Sequence, residues 1–221
     1  ATTLTVASAT TLGGVVSGAY SLTKAGSAEL TLSGANTFSG ATVVDAGTLT
    51  LSGGSALDNS MAVTVNASGT LKLASSEEIA TLAGAGAVNL QANVLTLSGA
   101  ANTTYSGVMS GTGGSLVKSG SGALTLSGAN TFTGGASVSA GTVLVGNNAA
   151  FGTGTVTFSG GKISSDGTTA RALANGLGLS GAKRERGRGW QGQPRPDYDP
   201  HGSVTSMIES NYELLKPSDK R

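Results

Sequence analysis

Groups able to perform acid–base, nucleophilic or metal chemistry are sparse in this sequence and do not converge. Cysteine is absent and the one histidine is His201, so residues 1–181 offer no Ser–His or Cys–His pair and no imidazole for a metal. Those residues hold six acids: Glu29, Asp45, Asp58, Glu77, Glu78 and Asp166. Only Glu77 and Glu78 are adjacent, and neighbours on a strand point to opposite faces, so they do not form the facing carboxylates of a glycosidase. Two distant acids stacked on successive coils are the remaining route to such a dyad. No G-G-x-G-x-D calcium repeat occurs, and the glycines from Gly111 to Gly114 lack the Gly-Lys-Ser/Thr of a phosphate loop. The expectation is therefore no catalytic, cofactor-binding or metal site, and no cofactor.

Residues with a milder capacity for binding recur in a pattern. Asn36 and Asn130 could meet sugar hydroxyls, but the expected role is in turns, with their amides bonded to the neighbouring coil, since Asn tolerates the left-handed conformation. Phe38, Tyr105 and Phe132 could stack on a glycan; packing at coil corners is the expectation. Lys24 and Lys118 occupy matching positions and could line a basic strip, yet two lysines on a solvated face is the plainer reading. The row Thr153, Thr155, Thr157 resembles an ice-ordering surface only in part, because it is not repeated on successive coils and Thr is a good strand residue anyway.

The elements that position these residues are repeats. Leu22 to Leu51 (LTKAGSAELTLSGANTFSGATVVDAGTLTL) and Leu116 to Val145 (LVKSGSGALTLSGANTFTGGASVSAGTVLV) align without a gap at an offset of 94, with 18 identities in 30. A partial copy begins at Leu95 (LTLSGAANTTYSG). Each copy has a short alternating strand, a Ser-Gly-Ala turn with Asn, an aromatic, and in the two long copies Ala-Gly-Thr before a further strand. Alternation at period two predicts Leu30, Leu32, Leu49, Leu51, Leu71, Leu73, Leu95, Leu97, Leu124 and Leu126, with Val143 and Val145, on an inner face. It predicts Thr31, Thr96 and Thr125 on the outer one. Gly34, Gly47, Gly128 and Gly141 are expected to supply turns with positive φ. The best helical candidate, Ser76 to Ala83, is one or two turns at most.

Strands this short bury their leucines only by stacking coil on coil, which predicts an all-β solenoid of about eight coils of roughly 20–24 residues over residues 1–181. Proline is absent from that region, as central strands require. The string K-x-G-x-G-x-L-T-L-S-G-x-N-T-[FY]-[ST]-G followed by A-G-T-[LV] resembles the β-strand repeat of bacterial autotransporter passengers, and Ser159 to Ala182 resembles the coil that often follows it. The resemblance implies a right-handed parallel β-helix and export through the Gram-negative outer membrane by a C-terminal β-barrel belonging to the parent protein. It also implies a secreted or cell-surface, adhesin-like scaffold whose partners are host or cell-surface ligands or other copies of itself. A polysaccharide lyase or hydrolase is the alternative, since β-helices host such enzymes; clustered acids with Arg or Lys on one face would favour it.

Charge draws a boundary. Residues 1–181 hold 11 charged residues and residues 182–221 the other 14, together with all four prolines and Trp190. The tail is expected to be disordered, or foreign to the repeat through a shifted reading frame or an engineered appendage. Its basic run, Lys183, Arg184, Arg186 and Arg188, is read as solvated, and the net charge of +1 argues against nucleic acid. A short helix is expected over Val204 to Leu215. The missing initiator Met and leader suggest a processed or excised piece. The uncharged Thr2 to Val6 segment is expected to self-associate as an edge.

Overall fold

A computed structural model of the chain describes residues 2–167 and 169–179. Expectations for residues 180–221, including the basic run and the terminal helix, lie outside the described residues. Every strand pairing is parallel and joins one turn of the chain to the next, so the fold is a β-solenoid. One column of directly paired residues runs Leu4, Lys24, Val44, Val65, Gly84, Tyr105, Leu126, Val145, Ser165. Successive members are 19–21 residues apart, which gives nine turns where the repeat length suggested about eight.

Each turn carries up to three strands, which stack into three faces. Face one contains Thr2–Thr5, Leu22–Ala25, Thr81–Gly84, Thr103–Tyr105, Ala123–Leu126, Thr142–Val145 and Lys162–Ser165. Face two contains Thr10–Leu12, Glu29–Leu32, Ala87–Asn89 and Met109–Ser110. The long strands Thr42–Leu51 and Ala62–Leu73 run on from face one to face two and join them into one 13-stranded sheet. Face three begins with Ser17–Gly18 and Thr37–Phe38 and continues as a six-stranded sheet, Glu77–Ile79, Val94–Leu97, Ser115–Lys118, Ala136–Val138, Val156–Phe158 and Leu177–Leu179. The would-be helix over Ser76 to Ala83 is instead two strands, Glu77–Ile79 and Thr81–Gly84, separated by Ala80. Eight residues with only local hydrogen bonds lose to an arrangement in which both strands pair with neighbouring turns.

The core follows from alternation. Leu30, Leu32, Leu49, Leu51, Leu71, Leu73, Leu95, Leu97, Leu124, Leu126, Val143 and Val145 are all buried, while Thr31, Thr96 and Thr125 between them stay half-exposed. Thr50 departs from that rule, at 4% exposed on the outer side of face two. Its hydroxyl donates to Glu29 Oε1 at 2.5 Å, and Lys72 Nζ reaches the same oxygen at 3.4 Å. The two long side chains lie over it. Among the described residues, strand Thr2–Thr5 pairs on one side only, with Leu22–Ala25.

The sequence repeat is not the structural repeat. Leu22 stacks under Thr2 on face one, whereas its equivalent Leu116 stacks between Leu95 and Ala136 on face three. Likewise Leu30 lies on face two and Leu124 on face one. From 22 the chain makes four whole turns to 103 and then passes two more faces to 116, so an offset of 94 is four and two-thirds turns. All three faces ask the same of a strand, namely inward apolar residues at period two, so one segment can serve on any of them. Replacing Leu126, which is fully buried, by Ala should lower the unfolding free energy by about 2–5 kcal/mol, while Thr125→Ala should change it by less than about 1 kcal/mol. Denaturant titration of the two variants checks the facing.

Candidate functional site

Interior corners, rather than an open cleft, gather the chain's polar side chains. Lys24 is completely buried, at the end of a face-one strand. Its ammonium donates to the carbonyls of Ala25 at 3.0 Å, Gly26 at 2.8 Å and, from the next turn, Ala46 at 2.9 Å. Three donors thus meet three acceptors. Lys118 is 4% exposed at the end of a face-three strand and donates to the Gly120 carbonyl. Burial lowers the pKa of both ammonium groups. The expected solvated face is therefore corrected: these lysines are internal, and because they sit on different faces they form no basic strip.

The same corners account for the Ala-Gly-Thr element. Gly47 and Gly141 both have φ of 67°. A Cβ on Gly47 would lie 2.4 Å from the Gly26 carbonyl, and one on Gly141 would lie 2.5 Å from the Gly120 carbonyl and 2.8 Å from Lys118 Nζ. Lys-x-Gly in one turn and Ala-Gly in the next are two halves of one polar corner. Gly34 and Gly128 serve otherwise. Neither has positive φ, but a Cβ would come within 2.4 Å of the Gly14 carbonyl and 1.8 Å of the Gly107 carbonyl respectively. Close stacking, not turn conformation, excludes side chains there.

Asn36 and Asn130 each join three turns. Asn36 Oδ1 accepts from Val16 N–H at 2.7 Å and its Nδ2 donates to the Ala56 carbonyl at 2.8 Å. Asn130 accepts from Met109 N–H at 2.7 Å and donates to the Ala150 carbonyl at 2.6 Å. Both are buried, and neither has positive φ; the only such non-glycine described residue is Gln91. Asn is required for its paired donor and acceptor, not for the left-handed conformation. Phe38, Tyr105 and Phe132 are buried and unavailable to a glycan. Tyr105 occupies the column of Lys24, and its hydroxyl donates to the Gly86 carbonyl at 2.7 Å. Burial raises the pKa of that phenol.

Glu77 and Glu78 part as strand neighbours must. Glu77 is 3% exposed and accepts from Leu57 N–H at 2.7 Å and Ala56 N–H at 3.3 Å, while Glu78 is half-buried on the outer side. Burial raises the Glu77 pKa, and the two N–H groups oppose that rise. The backbone it caps belongs to an irregular stretch, 52–61, where face three has no strand. Glu77 was not legible as an internal cap in the sequence, because its partners lie 20 and 21 residues earlier in that stretch. Among the described residues no three His, Cys, Asp or Glu side chains gather to hold a metal ion. An open depression of about 510 Å³ is lined by neutral groups, including Asn89, Gln91, Ser110, Thr112 and Thr131, and contains no titratable side chain. Thr153 and Thr155 are exposed and Thr157 half-buried, with only Thr157 in a strand.

Comparison with known families assigns residues 22–60 and 116–145 to the passenger-associated-transport-repeat. No curated protein and no solved structure matches the chain.

Two outcomes are expected of the corners. Lys24→Met strips the donor from the carbonyls of Gly26 and Ala46 and should cost about 1–3 kcal/mol, whereas Lys72→Met, at a surface ion pair, should cost under about 1 kcal/mol. Urea midpoints report both. Glu77 holds its proton more tightly folded than unfolded, so the stability it contributes is full below about 4.5 and is lost as pH rises through the raised folded value. Glu77→Gln should flatten the stability profile across that window, as read from denaturation midpoints at stepped pH.

Proposed function

The chain is an autotransporter passenger-repeat protein, and from that premise we propose that it acts as a non-catalytic, adhesin-like scaffold. The family implies secretion or surface display by way of the outer membrane and a C-terminal β-barrel translocator in the parent protein. The observation that carries the non-catalytic reading is the fate of the interior ionisable groups. Lys24, Glu77 and Lys118 are all turned to backbone partners and covered from solvent. A substrate would find none of them.

A mechanical role is supported by the pairing on face one, which continues through nine turns. At about 4.8 Å per turn this column is about 40 Å long. Its work is to hold surface at a distance from the membrane and to offer its outer faces to host or cell-surface ligands or to other copies of itself. Growth of such a column one turn at a time also suits a chain that emerges progressively from a pore.

The test pairs adherence with turnover. Beads coated with the chain should adhere to cells or to one another, and the same preparation should release no products from pectin or alginate. Saturable turnover abolished by Asp45→Asn or Glu78→Gln would overturn the scaffold reading in favour of a polysaccharide-active enzyme.

A further inference from the structure

We infer that the Asn175–Gly176 bond is a site of self-modification, where deamidation of a ladder asparagine releases the last described turn of the solenoid. Three buried asparagines hold turns together through their side-chain amides: Asn36, Asn130 and Asn175. Asn175 Nδ2 donates to the carbonyls of Gly152 at 3.1 Å and Gly154 at 2.7 Å, one turn back. The three differ in the residue on their C-terminal side. Asn36 precedes Thr37, whose N–H donates to the Val16 carbonyl at 2.9 Å, and Asn130 precedes Thr131, whose N–H donates to the Met109 carbonyl at 2.8 Å. Those nitrogens are held by hydrogen bonds and crowded by a β-branched side chain. Gly176 is exposed, has no side chain, and its N–H has no hydrogen-bond partner among the described residues, although its carbonyl accepts from Val156 N–H at 2.8 Å.

A free backbone nitrogen beside a side-chain amide sets up a known thermal liability of asparagine. The Gly176 nitrogen, losing its proton to solvent base, attacks Asn175 Cγ. The Cγ–Nδ2 bond breaks, and the nitrogen leaves as ammonia after taking up a proton, giving a cyclic succinimide. Water then opens either carbonyl of that ring, so the sum is asparagine plus water to aspartate or isoaspartate plus ammonia. Nothing beyond water is consumed. The amide must leave its two carbonyls for ring closure, which local opening of this terminal turn permits.

The products cannot resume the amide's place. A carboxylate there faces the Gly152 and Gly154 carbonyls with acceptor against acceptor. Isoaspartate also routes the backbone through the side chain, adding a carbon just before strand Leu177–Leu179, whose register against Val156–Phe158 then fails. Detachment of this strand leaves Val156–Phe158 as the new edge of face three.

The test is to hold the full chain in warm, mildly alkaline buffer and follow each asparagine by peptide mapping. Position 175 should gain the mass of an amide-to-acid exchange and yield both aspartyl and isoaspartyl peptides, with Asn36 and Asn130 unchanged. Gly176→Ala should lose most of this conversion; its Cβ would sit 3.6 Å from Thr155 Oγ1, an ordinary contact, so the turn is kept. Hydrogen exchange at residues 156–158 should rise in aged wild type and in fresh Asn175→Asp, and stay slow in aged Gly176→Ala. Absence of conversion at 175, or equal conversion at 36 and 130, would overturn the site. Conversion with exchange at 156–158 unaltered would overturn its effect on the turn.

Discussion

Everything in this molecule is subordinate to the spacing of parallel hydrogen-bonded strands, about 4.8 Å from one turn to the next. At that distance a residue meets its counterparts in the turns above and below before it meets anything else. Leucine on leucine satisfies this at once. A buried polar group must find its partner in the same narrow layer, and the available partners are the carbonyls and N–H groups of adjoining corners. Lys24, Asn36, Glu77, Tyr105, Lys118 and Asn130 are six solutions to that one problem. The closest contacts between turns are reserved for glycine, where even a Cβ would strike the next carbonyl.

This also explains how a chain with so few aromatic and charged side chains builds a continuous core. No residue of the interior is far from the next turn, so leucine and valine with a few aromatics close the space. Neutral Thr, Ser and Ala can then cover much of the exterior without weakening the fold, because stability resides in the column rather than in surface pairs. The ion pair of Glu29 and Lys72 covers Thr50 and spans two turns of face two.

Much of the fold was legible because strand alternation has a period of two and the repeats show it repeatedly. The inward leucines, the coil length to within a few residues and the parallel solenoid all follow from that pattern. The corners were less legible. Alternation from Leu22 puts Lys24 on the inner face, but what satisfies a lysine there is visible only once the carbonyls of Gly26 and Ala46 are placed around it, and Ala46 is 22 residues away. Glu77 is similar, since its partners lie in a stretch that forms no strand. Local composition misleads over Ser76 to Ala83 because the strand pairing that decides it comes wholly from other turns. At the asparagines the position was readable, but the reason was a matched donor and acceptor rather than a permitted backbone angle.

The mismatch between repeat and turn has a consequence for heredity. The two copies of the repeat, 94 residues apart, share 18 of 30 residues, so a chain could gain or lose one such unit whole. Loss or gain of one unit would keep inward apolar residues at period two on either side of the join, because copies of one segment already occupy different faces. It would not leave the direction of the downstream chain intact. Any segment beyond the exchange would be rotated about the long axis by a third of a revolution while moving nearly five turns along it. A lineage of such proteins could therefore vary both the reach and the compass bearing of what it carries, in fixed steps and without inventing a new core.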